Sequence, residues 1–490
     1  NAKGEITNSD YFGGDLKGIE EKLPYLQSLG VTCIYLNPIF EAHSNHRYNT
    51  ADYSRIDPLL GTEEDFSSLC REAKKYGIHI LLDGVFSHTG SDSVYFNREG
   101  RYPGPGAYQD LSSPYGSWYT FRRWPDDYEC WWNFNTLPNV KETDPQYMEY
   151  INGETGIVPK WLRAGASGWR LDVADELPDA FLDALRMAAK KENPDSLILG
   201  EVWEDASNKS AYGQRRRYLL GRQLDSVMNY PFRNAVLGFL TGASPADMME
   251  SILSVVENYP PQVLRLLMNH IGTHDTERAL TVLSGEPSSG RGREWQSRQK
   301  LSPSQRERGL RLLRLAAALQ FTLPGVPCIY YGDEAGMEGY RDPFNRAPYP
   351  WGKEDKNLIK FYQRLGAFRK SCSCLKEGSF EPRMAQDDIL AYIRRDENDA
   401  VFCAVNRSDS PRRFRLDGEW HRATALFGAS PSEEGELFLE PLSCTILHLL
   451  PEINKEPEED CRAEPAGEPA PAPKTASELA SAGPKRDRKT

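Results

Sequence analysis

Seven short apolar runs recur along this chain, at residues 31–36, 78–83, 168–172, 197–201, 226–228, 268–271 and 328–331. Stretches with helical spacing of apolar residues separate most of them, at 16–29, 63–76, 145–164, 178–191, 207–220, 245–258, 303–321 and 355–369. Strands alternating with helices imply a parallel sheet, and this many repeats imply a closed barrel. The expected fold class is therefore α/β, a (β/α)8 TIM barrel. Such a barrel needs eight strands, and only seven runs are visible. The helix at 16–29 precedes the first run, and residues 1–10 are too polar and turn-like to supply another. The first strand is expected to be missing, as in an N-terminally truncated piece of a longer chain. The sheet should then have an open seam between its first and last visible strands.

One connection breaks the rhythm. Residues 89–145 show no helical period but are dense in aromatics, among them Tyr108, Tyr115, Trp118, Tyr119, Trp124, Trp131 and Trp132. A structureless loop of that length is uncommon in a compact domain. The segment reads as a small domain inserted after the third strand of the full barrel. Its aromatics are its own core, platforms for flat apolar ligand faces, or both. After residue 378 the pattern changes to short alternating runs, which reads as a C-terminal antiparallel β-sandwich over 378–450. The barrel would then occupy 1–377. Residues 451–490 are rich in Pro, Ala and Glu without aromatics, and are expected to be a disordered tail.

The formal net charge of -12 argues against a nucleic-acid partner and suits a neutral ligand. No run of 18 apolar residues is present, so no membrane span is expected. Oligomeric state is not legible. The nine cysteines are odd in number and mostly isolated, which favours reduced thiols and a cytoplasmic location. Residue 1 is Asn, so the targeting signal cannot be read, and secretion is the alternative. Cys372-Ser-Cys374 is too closely spaced for the usual zinc knuckle and has no accompanying His pair.

The chemistry concentrates where strands end. Asp83, Asp172, Glu201 and Asp275 each close or follow an apolar run. In a barrel all strand ends meet at one face. Arg170 and Asp172 lie two apart and so share a strand face, which puts a fixed cation beside a carboxylate and favours its ionised form. A single such acid would be read as a helix cap; four at matched positions, with His88 and His274 alongside, are not explained by capping. Crowded carboxylates drive their pKa values apart, giving one ionised nucleophile and one protonated acid, the pair that cleaves a glycosidic bond with retention.

Asp83-Gly-Val-Phe-Ser-His88, Gly168-Trp-Arg-Leu-Asp172, Gly200-Glu-Val-Trp203 and Gly272-Thr-His-Asp275 resemble the four ordered signature regions of the α-amylase family. Gly325-Val-Pro-Cys-Ile-Tyr-Tyr-Gly-Asp-Glu334 is similar to its last-strand motif. Within the family, Gly168-Trp-Arg-Leu-Asp-Val-Ala174 and Tyr11-Phe-Gly-Gly-Asp15 resemble neopullulanases, cyclomaltodextrinases, maltogenic amylases and amylopullulanases. Gly106-Ala-Tyr-Gln-Asp110 and Tyr115-Gly-Ser-Trp-Tyr119 lean towards the last of these. The resemblance implies roles: Asp172 the nucleophile, Glu201 the general acid/base, and Asp275 a holder of sugar hydroxyls that helps distort the ring. It further implies that Arg170 keeps Asp172 charged, that His88 and His274 bond hydroxyls near Asp83, and that Tyr48 stacks under that sugar. Trp203 would flank the leaving side, and Asp342 and Arg346 would grip the next sugar inwards. In neopullulanase-like relatives a calcium site lies near the first strand; Gly13 and Asp15 match part of it, so a partial calcium site is expected there.

Three positions depart from the family pattern. Ser87 stands where many members have an Asn that supports calcium. Asp175 replaces an Asn and adds charge near the site, and Asn49 replaces an Asp after Tyr48. The activity implied is a retaining α-glucan hydrolase cutting α-1,4 bonds in maltooligosaccharides, pullulan or cyclodextrins, with α-1,6 cleavage left open. The alternatives are a non-catalytic glucan-binding protein on the same scaffold, or a glucan transferase.

Overall fold

Five of the apolar runs lie side by side as parallel strands: β1 (Cys33–Tyr35), β2 (His79–Gly84), β3 (Gly168–Leu171), β4 (Leu197–Gly200) and β5 (Ser226–Val227), in that order across the sheet. A parallel bridge from Met228 to Met268 continues to β6 (Met268–His270), which pairs with β7 (Val326–Cys328). The computed structural model describes residues 6–416 and 418–450, which belong to one compact unit; the expected tail at 451–490 lies outside the described residues. β3 and all of β2 after His79 are buried throughout, as strands covered on both faces must be. Gly168 is required where β3 begins: its φ is +152°, and a Cβ there would meet the Leu197 carbonyl oxygen at 2.1 Å.

No eighth strand joins β1 to β7 among the described residues, so the curled sheet keeps the expected open seam. Cys33 on β1 and Val326 on β7 are exposed there.

Several expected elements differ. The helix at 16–29 is two helices, Leu16–Glu21 and Leu23–Ser28, because Pro24 starts a new first turn and cannot donate back to the old one. The helix at 145–164 is likewise split, into Pro145–Asn152 and Ile157–Arg163, with Gly153 and Gly156 between. No helix forms over 207–220. A small ribbon, Ser210–Ala211 with Gln214–Arg215, turns there at Tyr212 and Gly213, both at positive φ. Its arginines are drawn into tertiary contacts instead, with Arg217 on Asp179 and Asp183, and Arg216 on the Leu177 carbonyl. The last strand ends at Cys328 rather than Tyr331, since Tyr330 and Tyr331 turn away to bond the carbonyls of Asn345 and Ala347. The helix Tyr230–Thr241, the antiparallel pair Phe40–Ala42 with Thr50–Ile56, and the strand Ser379–Gln386 were not expected.

Over 89–145 the aromatics divide. Tyr95, Phe96, Trp118 and Tyr119 are buried against one another, whereas Trp124, Trp132 and Phe134 are exposed. The C-terminal residues form an antiparallel sheet of β8 (Ser379–Gln386), β9 (Ile389–Arg395), β10 (Ala400–Asn406), β11 (Thr424–Phe427) and β12 (Ser443–Leu449), in the order β8-β9-β10-β12-β11. Alternate residues serve opposite faces. Ile389, Ala391 and Ile393 pack with Leu437 and Leu439 of a two-stranded ribbon, while Leu390 and Tyr392 join the helices Pro303–Thr322 and Lys356–Ser371.

Candidate active site

Strand register assembles the site. β2 and β3 pair Asp83 with Arg170, and β3 and β4 pair Leu171 with Gly200. Asp172 and Glu201, each one residue further on, therefore emerge beside each other at the C-terminal strand ends. The Arg170 guanidinium is fully buried and touches three carboxylates: Nη1 lies 2.9 Å from Asp83 Oδ1 and 2.7 Å from Asp172 Oδ1, and Nη2 lies 2.8 Å from Glu201 Oε2. Three acids thus share one cation. Burial pushes the Asp172 carboxyl well above the usual range; Glu201 and Asp83 add to this by repulsion, and Arg170 opposes it. Arg170 is the counter-ion expected for Asp172, but it serves the whole cluster.

Val173, directly after Asp172, adopts φ +38° and ψ +62°. The left-handed region is strained for a β-branched residue, and such strain gathers at functional sites. Here it aims the Val173 N–H at Glu201 Oε2, 2.9 Å away. Trp203 donates its indole N–H to the other oxygen, Oε1, at 3.0 Å and stacks on Tyr230 at 4.2 Å between ring centroids. Glu201 is held through both oxygens.

The network extends from Asp83. Tyr35 and Tyr48 donate to its Oδ2 at 2.6 and 2.8 Å. With the Tyr48 hydroxyl so committed, His274 Nε2 donates to it at 2.7 Å, and the two rings lie nearly parallel. Burial, with Arg170 and Arg346 nearby, pushes His274 well below the usual imidazole range, so it is neutral. The same Nε2 lies 3.1 Å from Asp275 Oδ2. Asp275 has about a third of its side chain open, yet protein surrounds it closely enough to raise its pKa to about 6, with Glu201 repelling it further. Arg346 Nε bonds the His274 carbonyl at 3.0 Å and Asp342 Oδ1 at 3.1 Å, and its Nη2 lies 3.7 Å from Asp275.

Two expected residues sit differently. His88 directs Nε2 to the Tyr48 carbonyl at 3.1 Å and Nδ1 to the Ser87 hydroxyl at 3.1 Å, so both ring nitrogens have protein partners; burial lowers its pKa to about 4. The charge expected from Asp175 is balanced by Lys209 at 3.0 Å, with Tyr218 donating at 2.6 Å. Gly13 and Asp15 stand apart from the network. Asp15 caps the helix Leu16–Glu21 by accepting from the Gly18 N–H. Calcium takes about six to eight oxygens, so these two residues alone do not complete a site.

Sequence reading missed Tyr35, Val173 and Asn345. Asn345 is fully buried and bonds the carbonyls of His274 and Thr276, fixing the loop that carries Asp275. Its place inside the Asp342–Arg346 motif was the available signal. A cavity of about 680 Å³ adjoins the site through His46, Asp342 and Arg346, and continues past Tyr11, Phe12 and Tyr340. Asp172, Glu201 and Asp275 do not line it.

A family model described as "Alpha amylase, catalytic domain" matches residues 2–361. The chain belongs to the α-amylase family. An amylopullulanase of Thermoanaerobacterium saccharolyticum is 40% identical over 454 residues, covering 84% of this chain and 34% of that protein. Neopullulanase 2 of Thermoactinomyces vulgaris is 35% identical over 412 residues, covering 81% and 63%. A debranching enzyme from Nostoc punctiforme has a similar structure, with a TM-score of 0.77 at 29% identity over 90% of each chain. The chain spans about a third of the length of the amylopullulanase. Like this chain's sheet, the α-amylase fold carries its polar network at the C-terminal strand ends. Among the described residues no helix is long and apolar enough to cross a membrane.

Proposed function

We propose that this chain is a retaining α-glucan hydrolase acting on maltooligosaccharides, pullulan or cyclodextrins. The observation that carries the reading is the sharing of Arg170 by Asp83, Asp172 and Glu201. One cation cannot offset three anions in a buried site, so the cluster retains a proton. A double displacement uses such a proton on Glu201, with Asp172 ionised against Arg170. Asp172 attacks the anomeric carbon while Glu201 protonates the leaving oxygen, and Glu201 then takes a proton from the incoming water. Asp275 grips sugar hydroxyls as its ionised form. The cavity beside Asp342 and Arg346 takes the sugars beyond the cleaved bond, and Trp203, half-exposed, offers its face to the leaving side. Calcium enters this reading only as a stabiliser near Gly13 and Asp15, with ligands beyond these two, and no step passes through it.

Proton NMR of maltotetraose hydrolysis should show the α-anomer as first product, followed by mutarotation. A β-anomer would overturn retention, and no release of reducing sugar would favour a binding protein. On pullulan, panose marks α-1,4 cleavage and maltotriose marks α-1,6 cleavage. The raised Asp275 pKa sets an acid limb: kcat/KM should fall as pH drops through about 6, because the protonated carboxyl accepts fewer hydroxyl bonds. A profile flat down to pH 4 would separate Asp275 from substrate binding.

A further inference from the structure

The helix Lys356–Ser371 ends at a cluster that the sugar chemistry does not use. Cys372 and Cys374 are fully buried, with their sulfurs 3.4 Å apart and unbonded. Asp399, just before β10, and His448, on β12, meet them there: His448 Nε2 lies 4.0 Å from Cys372 Sγ and 3.4 Å from Asp399 Oδ2. β10 and β12 pair Val401 with His448, which brings residues far apart in sequence to one point. Spacing along the chain had argued against a metal here; the missing donors come from the sheet.

We infer that Cys372, Cys374, Asp399 and His448 form a binding site for a soft divalent cation of the zinc type. One donor atom each from Cys372, Asp399 and His448 lie within 4.8 Å of one another, and Cys374 Sγ borders this group. Tetrahedral zinc holds sulfur at about 2.3 Å and nitrogen or oxygen at about 2.0–2.2 Å, so closing on the ion takes only small side-chain movements. Asp399 is already oriented. Its Oδ1 accepts the Cys374 N–H at 3.0 Å, which leaves Oδ2 facing the imidazole.

A nucleophilic cysteine triad is the competing reading, and the geometry disfavours it. A triad needs the base to face the thiol with one ring nitrogen and the acid with the other. Here the thiol and the carboxylate both approach Nε2 of His448, as ligands around a common centre do. The charges agree with a metal. Two thiolates, one carboxylate and one divalent ion leave a net charge of about -1 in the usual ligand state. Arg369 and Arg394 lie near enough to interact electrostatically with the thiols, and their guanidinium groups bond backbone carbonyls of Phe321, Thr322, Gly378 and Ser379. Among the described residues neither arginine makes an ion pair with a carboxylate within 4.0 Å, and Asp396 acts on Arg394 only electrostatically, so an anionic metal site would help balance them. His448 keeps about a fifth of its side chain exposed, which provides an entry path. The ion would tie the end of the helix Lys356–Ser371 to the C-terminal sheet.

The full chain, purified without chelator from zinc-supplemented medium, should carry one equivalent of zinc by mass spectrometry. Replacement by cobalt should give a thiolate charge-transfer band and intense visible bands of a tetrahedral site. Cys372→Ser and His448→Gln should each remove the bound metal and the charge-transfer band, and chelation should lower the melting temperature of the wild type by several degrees. The cobalt spectrum is read on unmutated protein, so a variant that fails to fold does not obscure the result. Absence of stoichiometric metal, a Cys372–Cys374 disulfide in the purified protein, or binding unchanged in both variants would each overturn the site.

Discussion

Asp172→Asn should lower kcat on maltodextrin by about three orders of magnitude or more, the scale of losing a nucleophile, while the melting temperature holds or rises. The two effects share a cause. Asp172 is one of three carboxylates around a single buried guanidinium, and burial with two acidic neighbours disfavours its charge. A neutral amide of the same shape relieves that repulsion but cannot attack the anomeric carbon. Stability and catalysis are thereby set against each other at this residue. Initial rates and thermal unfolding by circular dichroism on the same preparation are the check. A variant that keeps roughly a tenth of wild-type turnover would remove Asp172 from the nucleophile's role.

Arg170→Leu should be the most destabilising exchange in the site, costing about 3–5 kcal/mol near neutral pH, as expected when one partner of a buried ion cluster is removed. The deficit should depend on pH with a definite sign. Asp83 and Asp172 already have raised pKa values in the folded protein, burial being the main cause, and without Arg170 they rise further. A carboxyl whose folded pKa is raised adds stability below its unfolded value, about 3.9 for Asp, and loses it as pH climbs through the folded value. The variant should therefore approach the wild type towards pH 4–5 and fall away from it above. Urea unfolding at several pH values reads this directly. A deficit constant across pH would mean that the guanidinium contributes packing alone.

The acids at the strand ends were legible because a buried parallel strand announces itself as an apolar run, and the polar residue that closes it stands out. The count of seven strands was legible for the same reason. What supports those acids was not. Tyr35 sits within the first run and looks like core, and only the fold brings its hydroxyl to Asp83. Nothing at Val173 signals a left-handed backbone, since its conformation is imposed by the neighbouring strand and Glu201. Residues 207–220 have helical spacing, yet their arginines find carboxylates on the helix Asp179–Glu192, a tertiary gain that local preference cannot anticipate. Cys372 and Cys374 have no histidine pair near them in the sequence, and the imidazole that meets Cys372 is 76 positions away.

The C-terminal sheet is apolar on both sides, one against its own ribbon and the other against the helices Pro303–Thr322 and Lys356–Ser371. That arrangement bears on how the molecule comes apart. Cutting the chain near Gly378 would strip cover from Leu312, Leu319, Tyr362 and Leu365, all buried within this shared core. Neither fragment could shield that surface alone, so proteolytic nicks in the connection should yield aggregates rather than two soluble halves. Calorimetry should accordingly record one melting event for the parallel and antiparallel sheets together, and substitutions in β9 or β10 should lower the temperature at which turnover is lost.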